Sequence, residues 1–326
     1  ASSAAHLYGK PVVSAEAFTS GGPHWTMDPW WQKRRGDWAC TEGANHFVLH
    51  VFIHQPFADR VPGVNAWFGT EFNHHNTWFG QAGGWIDYLR RTHFLLQQGR
   101  SVADVAYFIG EDAPKMTGVR QPELPPGYSF DYINAEVIEQ RLRVKDGKFV
   151  LPDGMSYRLL VLPELATMRP EMLRRLRELV KAGGAMLGPP PSRSPSLENY
   201  PACDREVQKL AGEVWKGCDG KAATHARFGK GHVFRGVDVQ AALDRLQVPP
   251  DASGLDANVF PWTHRTTPDG ELYFISHQGD QPLALTPSFR VAGRLPELWD
   301  AVTGERRDLP EFREEAGCTT VPMQFA

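Results

Sequence analysis

Twice in its first hundred residues the chain runs the same course: a short apolar stretch, a polar residue, an aromatic loop and a helix-patterned segment. Lys10-Pro11-Val12-Val13-Ser14-Ala15-Glu16-Ala17-Phe18 reads as a short buried strand that delivers Glu16 near its end. A loop rich in Gly, Pro and Trp follows, then a helix from Pro29 to Glu42, stopped at Gly43. His46 to Pro56 reads as a second buried strand ending in polar residues. Beyond another aromatic loop, Trp85, Tyr88, Leu89, Phe94 and Leu95 recur at helical spacing up to Gln97, and Gly99 ends the run. Strand, loop and helix with polar groups at strand ends form the repeating unit of a (β/α)-barrel, whose chemistry sits at the C-terminal ends of its strands. Two or three units fit here, so residues 1–99 are expected to be the C-terminal part of a (β/α)8 barrel.

The rest of the chain divides by composition. Residues 100–250 read as an open α/β domain. Val102 to Gly110 is a strand entering a turn, Asp131 to Leu142 a helix, and Tyr157 to Pro163 another buried strand. Pro170 to Ala182 is an amphipathic helix with Met172, Leu173, Leu176, Leu179 and Val180 on one face; Gly183-Gly184 ends it, and a strand starts at Ala185. Residues 251–326 are punctuated by Pro and Gly, with short strands such as Glu271 to Ser276, and read as a partial β-sandwich. At 326 residues the chain exceeds the roughly 250 that one core supports, so an α/β multidomain protein is expected. Its opening, Ala1-Ser2-Ser3-Ala4-Ala5-His6, lacks Met and a leader pattern and reads like the middle of a helix, as in a piece of a longer polypeptide. A net charge of −3 argues against nucleic acid or an anionic membrane as partner, and no apolar run approaches the ~18 residues of a membrane span. Cys40, Cys203, Cys218 and Cys318 lie far apart and read as unpaired, mostly buried thiols, which leaves the redox compartment open.

Five stretches, VVSAEAFTS, GANHFVLHVFIHQPF, FNHHNTWF, GKGHVFRG and SFRVAGRLPELWDAVTGE, occur in order across nearly the whole chain. Together they resemble the inverting bacterial α-L-rhamnosidases, a family of large multidomain glycoside hydrolases. The resemblance implies a catalytic barrel, a middle domain of flavodoxin or glutamine-amidotransferase type, and β-sandwich domains. It also implies release of terminal α-L-rhamnose from plant or bacterial glycans or glycosides, a bound Ca2+, and a periplasmic or secreted location. The general acid would sit on an earlier barrel strand outside this chain. The partners would then be the oligosaccharide or glycoside and the missing N-terminal part of the same polypeptide, and the fragment alone would be inactive. A β-galactosidase-like hydrolase and a non-catalytic carbohydrate-binding protein are the alternatives.

Glycoside hydrolysis needs two carboxyl groups flanking the scissile bond, about 6.5–9.5 Å apart when a water must fit beside the sugar. Glu16 is the first choice for one of them, as the general base; its plain alternative is a strand-end carboxylate in a salt bridge. Trp25 in the following loop can stack on a sugar. His54 and Gln55, at the end of the second expected strand, can bind hydroxyl groups. Glu71, Asn73, His75 and Trp78 are further substrate-binding candidates, while Glu42 falls at a helix end on the wrong side. His74 and His75 lack a third zinc ligand at suitable spacing, and no calcium loop of EF-hand type exists, so no metal ligands are assigned. The middle domain has no nucleophile-elbow motif and no Gly-x-Gly-x-x-Gly, and Gly229-Lys230-Gly231-His232 reads as a hairpin.

Overall fold

Strands that read as unbroken apolar runs have no solvent face, and the sheet of the middle region shows where such runs go. A computed structural model describes residues 1–68, 71–111 and 120–325. The first hundred residues form α1 (Ser2–Leu7), β1 (Ser14–Ala17), α2 (Pro29–Thr41), β2 (His46–Leu49), α3 (Ala82–Leu96) and β3 (Arg100–Ser101). Next come β4 (Val105–Phe108), β5 (Phe130–Ile133), β6 (Arg143–Lys145), β7 (Lys148–Val150), β8 (Ser156–Tyr157) and β9 (Leu159–Val161). The sequence continues with α4 (Pro170–Ala182), β10 (Ala185–Leu187), α5 (Ala202–Val214), β11 (His225–Phe228), β12 (Gly231–Phe234) and α6 (Val239–Arg245). Short strands follow, among them β13 (Ala252–Ser253), β14 (Trp262–Thr266) and β15 (Glu271–Ile275).

Two compact units result. One gathers Ser3–Gly9 and Val102–Asp251; the other gathers Lys10–Ser101 and Ala252–Ala326. Set beside the expected segments 1–99, 100–250 and 251–326, these units join the first segment to the last and give α1 to the middle one.

In the first unit the sheet order is β11-β12-β10-β9-β4-β5, parallel throughout except for β11. Successive residues alternate between two cores. Ala106, Phe108, Leu160, Leu162 and Met186 face α4 and α5 through Met172, Leu173, Leu176, Val207 and Leu210. Val105, Tyr107, Leu159, Val161 and Leu187 meet Val239, Ala242 and Leu243 of α6 on the other side. Each fully buried Leu contributes about 1.5–3 kcal/mol, which is why these strands carry no polar face. The Gly229-Lys230 turn joins β11 to β12 as a hairpin.

One expected helix is shortened. Asp131 to Leu142 begins as strand β5, which pairs in parallel with β4, and helical backbone covers only 135–141, with Val137–Arg141 of π type. Phe130, Tyr132 and Ile133 suit a pleated surface, and pairing with a central strand overrides the helical pattern. Asp131 is buried there between His6 Nδ1 and Tyr157 Oη, each at 2.9 Å.

In the second unit β1 and β2 pair in parallel, with Glu16 opposite Val48. Phe18, Phe47, Phe72, Trp85, Tyr88, Leu89 and Leu96 form the core beneath them. The second strand is shorter than expected. It ends at Leu49, and the last rung is His50 N–H to Ala17 O at 2.9 Å, because β1 offers no partner beyond that point. Downstream, β14 lies between β15 and β3 in antiparallel pairing. Arg265 of β14 donates to Gln98 O, Gly99 O and Ser101 Oγ, tying the exit of α3 to that sheet.

Candidate active site

The polar end of β1 is built by one strained residue. Phe18 has φ 71°, a left-handed conformation that costs a bulky side chain about 1–3 kcal/mol. Its buried ring offsets that cost, meeting Phe47 edge-on at 5.4 Å and Trp85 at 5.8 Å between centroids. Gly36 of α2 makes room: a Cβ there would stand 3.2 Å from both Phe18 Cζ and Phe47 Cε2. With Phe18 turned inward, Thr19 doubles back toward the strand end. Its hydroxyl lies 3.4 Å from Glu16 Oε1 and 3.0 Å from His50 Nδ1. The His50 ring stacks on Phe68 at 5.3 Å, with 2° between the planes. Glu16 itself is exposed, and among the described residues no Lys or Arg pairs with it, so the plain salt-bridge role does not apply.

Glu71 lies in different surroundings. It is 3% exposed, and its carboxylate accepts from His24 Nδ1 at 3.0 Å, Trp25 N at 3.1 Å and Asn65 Nδ2 at 3.1 Å. Trp25 has φ 66° and is half-buried, so this carboxylate fixes the backbone of the one aromatic expected to stack on sugar. Glu71 thus serves as a hub between loops, with both oxygens occupied. The backbone oxygen of Glu71 accepts from Asn76 Nδ2 at 3.0 Å.

The other expected residues are placed as follows. Asn73 is buried and its Oδ1 caps His75 N at 2.9 Å, while His75 Nδ1 lies 3.0 Å from Pro62 O. Gln55 grips Val64 in both directions, from Nε2 to O at 2.6 Å and from Val64 N to Oε1 at 2.9 Å. His54 is exposed and, like His50, lies beyond the end of β2 at Leu49. Trp78 donates from Nε1 to Met27 O at 2.9 Å and packs edge-on against Phe72. Gln55, Asn73, His75 and Trp78 shape the loops; Glu16, Thr19 and His50 converge at the strand ends. Glu42 ends α2 as its exposed C-cap residue. Gly69 and Thr70, beside Glu71, lie outside the described residues.

Thr19 is the residue that reading the sequence missed. Nothing in Ala17-Phe18-Thr19 announces a left-handed Phe, and without that turn Thr19 would project elsewhere. Asn65 and His24 were equally hidden as partners of Glu71, since 47 residues separate His24 from it.

Both Glu71 oxygens accept N–H donors and Asn73 Oδ1 accepts from His75 N, so a Ca2+ ion drawing on these oxygens would compete with those contacts for its six to eight ligands. Among the described residues no group of three His, Cys, Asp or Glu could hold a metal ion. The cysteines are free, with Cys40, Cys203 and Cys218 buried. Burial pushes the Cys40 thiol far up and lowers His93 to about 4, with His46 nearby reinforcing the latter. A cavity of about 520 Å3 belongs to the α/β unit, lined by Arg158, Lys230, His232 and Arg245 among others, and contains none of the residues above.

Comparison with known proteins gives a consistent result. Residues 1–314 match the glycoside hydrolase family described as alpha-L-rhamnosidase. A curated relative from Formosa agariphila, named a putative beta-glucuronidase, is 36% identical over 99% of this chain and 27% of its own length. The rhamnosidase from Novosphingobium sp. PP1Y superposes with a TM-score of 0.89 at 35% identity, over 99% of this chain and 31% of that one. A beta-galactosidase from Bacillus circulans sp. alkalophilus shares the fold alone, at 13% identity, TM-score 0.54, over 98% of this chain and 57% of that one. The chain therefore spans about a third or less of the length of its nearer matches. It belongs to the alpha-L-rhamnosidase family of glycoside hydrolases.

Proposed function

We propose that this chain supplies the general base, Glu16, of an inverting α-L-rhamnosidase acting on terminal α-L-rhamnose of glycans or glycosides. The observation that carries the reading is an exposed carboxylate, without a cationic partner among the described residues, at the C-terminal end of a parallel strand pair. That is where barrel enzymes keep their chemistry, and β1-α2-β2-α3 is the order expected of the end of a (β/α)8 barrel. In the proposed step Glu16 takes a proton from water as the water oxygen bonds to the anomeric carbon. The bond from that carbon to the leaving oxygen breaks, and a second carboxylic acid protonates the oxygen.

The second carboxyl group is proposed to come from a preceding part of a longer polypeptide, as the small share of the relatives' length supports. On that reading this chain alone gives no turnover. The α/β unit packs as a non-catalytic domain, and no step runs through calcium. A periplasmic or secreted location accords with a glycan substrate.

The test is turnover of p-nitrophenyl α-L-rhamnoside by the full-length polypeptide against Glu16→Gln. Gln keeps the size and removes the base, so kcat should fall by about 10²–10⁴-fold with circular dichroism unchanged. Full activity in the variant would sink the assignment of Glu16. Activity on the β-glucuronide and none on the rhamnoside would replace the substrate, in keeping with the name of the Formosa relative.

A further inference from the structure

Thr19 and His50 do nothing in the mechanism just described, yet both stand at the base. His50 Nδ1 and Glu16 Oε1 lie on either side of one hydroxyl, at 3.0 and 3.4 Å. A hydroxyl has one proton to give and lone pairs to receive, so the three groups can form a single directed chain. His50 Nδ1–H donates to Thr19 Oγ1, and Thr19 Oγ1–H donates to Glu16. The reverse direction would require Glu16 to carry the proton, which a base awaiting water does not.

Both ends of the chain are anchored. His50 N–H makes the last backbone rung between the strands, and its ring stacks on Phe68. Thr19 is aimed by the left-handed Phe18, whose ring is locked among Phe47, Phe72 and Trp85. A bulky residue held at positive φ by the core is a constraint that persists only where the surroundings over-determine it, and such sites concentrate at functional positions. Here the constraint delivers one hydroxyl to one carboxylate.

We propose that Thr19 and His50 are positioning residues for Glu16, forming a His50–Thr19–Glu16 arm that holds the carboxylate in the rotamer that meets the attacking water. The arm occupies Oε1 and leaves Oε2 free to receive the proton. This rests on Glu16 being the base. Misplacing a catalytic group by an ångström costs up to about a hundredfold in rate, and that sets the size of the effect sought.

The experiment uses the full-length polypeptide and p-nitrophenyl α-L-rhamnoside, with kcat and KM read separately. Thr19→Val keeps the shape and removes the hydroxyl; kcat should fall roughly ten- to hundredfold with KM little changed. Thr19→Ser restores the hydroxyl and should recover most of the loss. His50→Phe keeps the stack on Phe68 but removes the donor, and should resemble Thr19→Val. The Thr19→Val/His50→Phe double variant should be no slower than the slower single, because one broken link already breaks the arm. Multiplicative losses in the double variant, or wild-type kcat in Thr19→Val, would overturn the arm. Glu16→Gln run in parallel separates the two failures. If it is inactive while Thr19→Val is normal, the arm falls and the base stands; if it is active, the base reading falls and takes the arm with it.

Discussion

The six-stranded sheet and the β1–β2 pair are both built on parallel pairing, yet they are held by different means. Strands β4, β9 and β10 are buried on both faces, and each residue that leaves one core enters the other. In β1 the alternation is between exposed and half-buried positions, with Ser14 and Glu16 outward. Its hold comes from what flanks it: the Phe18 ring below, the Glu71 hub in the loops, and Asn45. The Asn45 side chain accepts from Val13 N at 2.8 Å and donates to Pro11 O and Leu96 O at 2.8 and 3.0 Å. Apolar area gives the sheet stability without direction, whereas the polar hubs at the site give direction through specified partners. A region that must present a charged group to water cannot surround it with Leu.

Substitutions can sharpen that contrast. The largest effect on stability should come from the sheet: Leu173→Ala, a fully buried α4 residue, should cost about 2–5 kcal/mol. Chemical denaturation of the α/β unit reads this as a lower midpoint at unchanged slope. A loss under 1 kcal/mol would mean the two-faced core is less well packed than the burial shows.

Glu71→Gln should cost less, about 1–3 kcal/mol, since it puts an amide N–H group among N–H donors that lose an acceptor. Its signature should be local, with the loop around His24 and Trp25 becoming open to proteolysis while the α/β transition stays put. Equal shifts in both regions would erase the distinction drawn between them. The smallest effect is from pH. His93 is held near 4 in the folded chain and titrates near 6.5 when unfolded, so the unfolded chain takes up the proton first as pH falls. The stabilising effect of its neutrality is fully present above about pH 6.5 and declines as pH falls toward 4. After allowance for its partial exposure that loss is about 1–2 kcal/mol. His93→Phe should flatten this part of the stability–pH curve, and an unchanged slope would count against it.

The same contrast explains what was legible in the sequence. The helix at Pro170 and the strand at Ala185 could be read because apolar spacing directly records two-faced burial. Glu16 was readable as a residue near the end of a strand, but the strand is not the buried Lys10–Phe18 run expected: β1 covers only Ser14–Ala17 and alternates exposed and half-buried positions. The helix expected from Asp131 failed because a neighbouring strand, distant in sequence, decided the outcome. The reach of β2 to Pro56 failed because ladder length is set by the partner, and β1 stops at Ala17. The roles of Glu71, Gln55 and Thr19 were not legible at all, since each depends on loop backbone conformations that no periodicity encodes. Gln55 illustrates this: Gly63, at φ 93°, brings the loop so near that a Cβ would stand 2.2 Å from Gln55 Oε1.

A library ranked by helix preference would place Ala at Gly36 first, since Ala is favoured there by about 1 kcal/mol. The added methyl would press on the Phe18 ring at 3.2 Å, and through that ring on the turn that aims Thr19. Selection for heat resistance and selection for turnover should therefore pull position 36 in opposite directions. A glycine in the middle of a helix, 18 positions from Phe18 and 11 from Phe47, thus marks where directed evolution for the proposed activity would trade one property for the other.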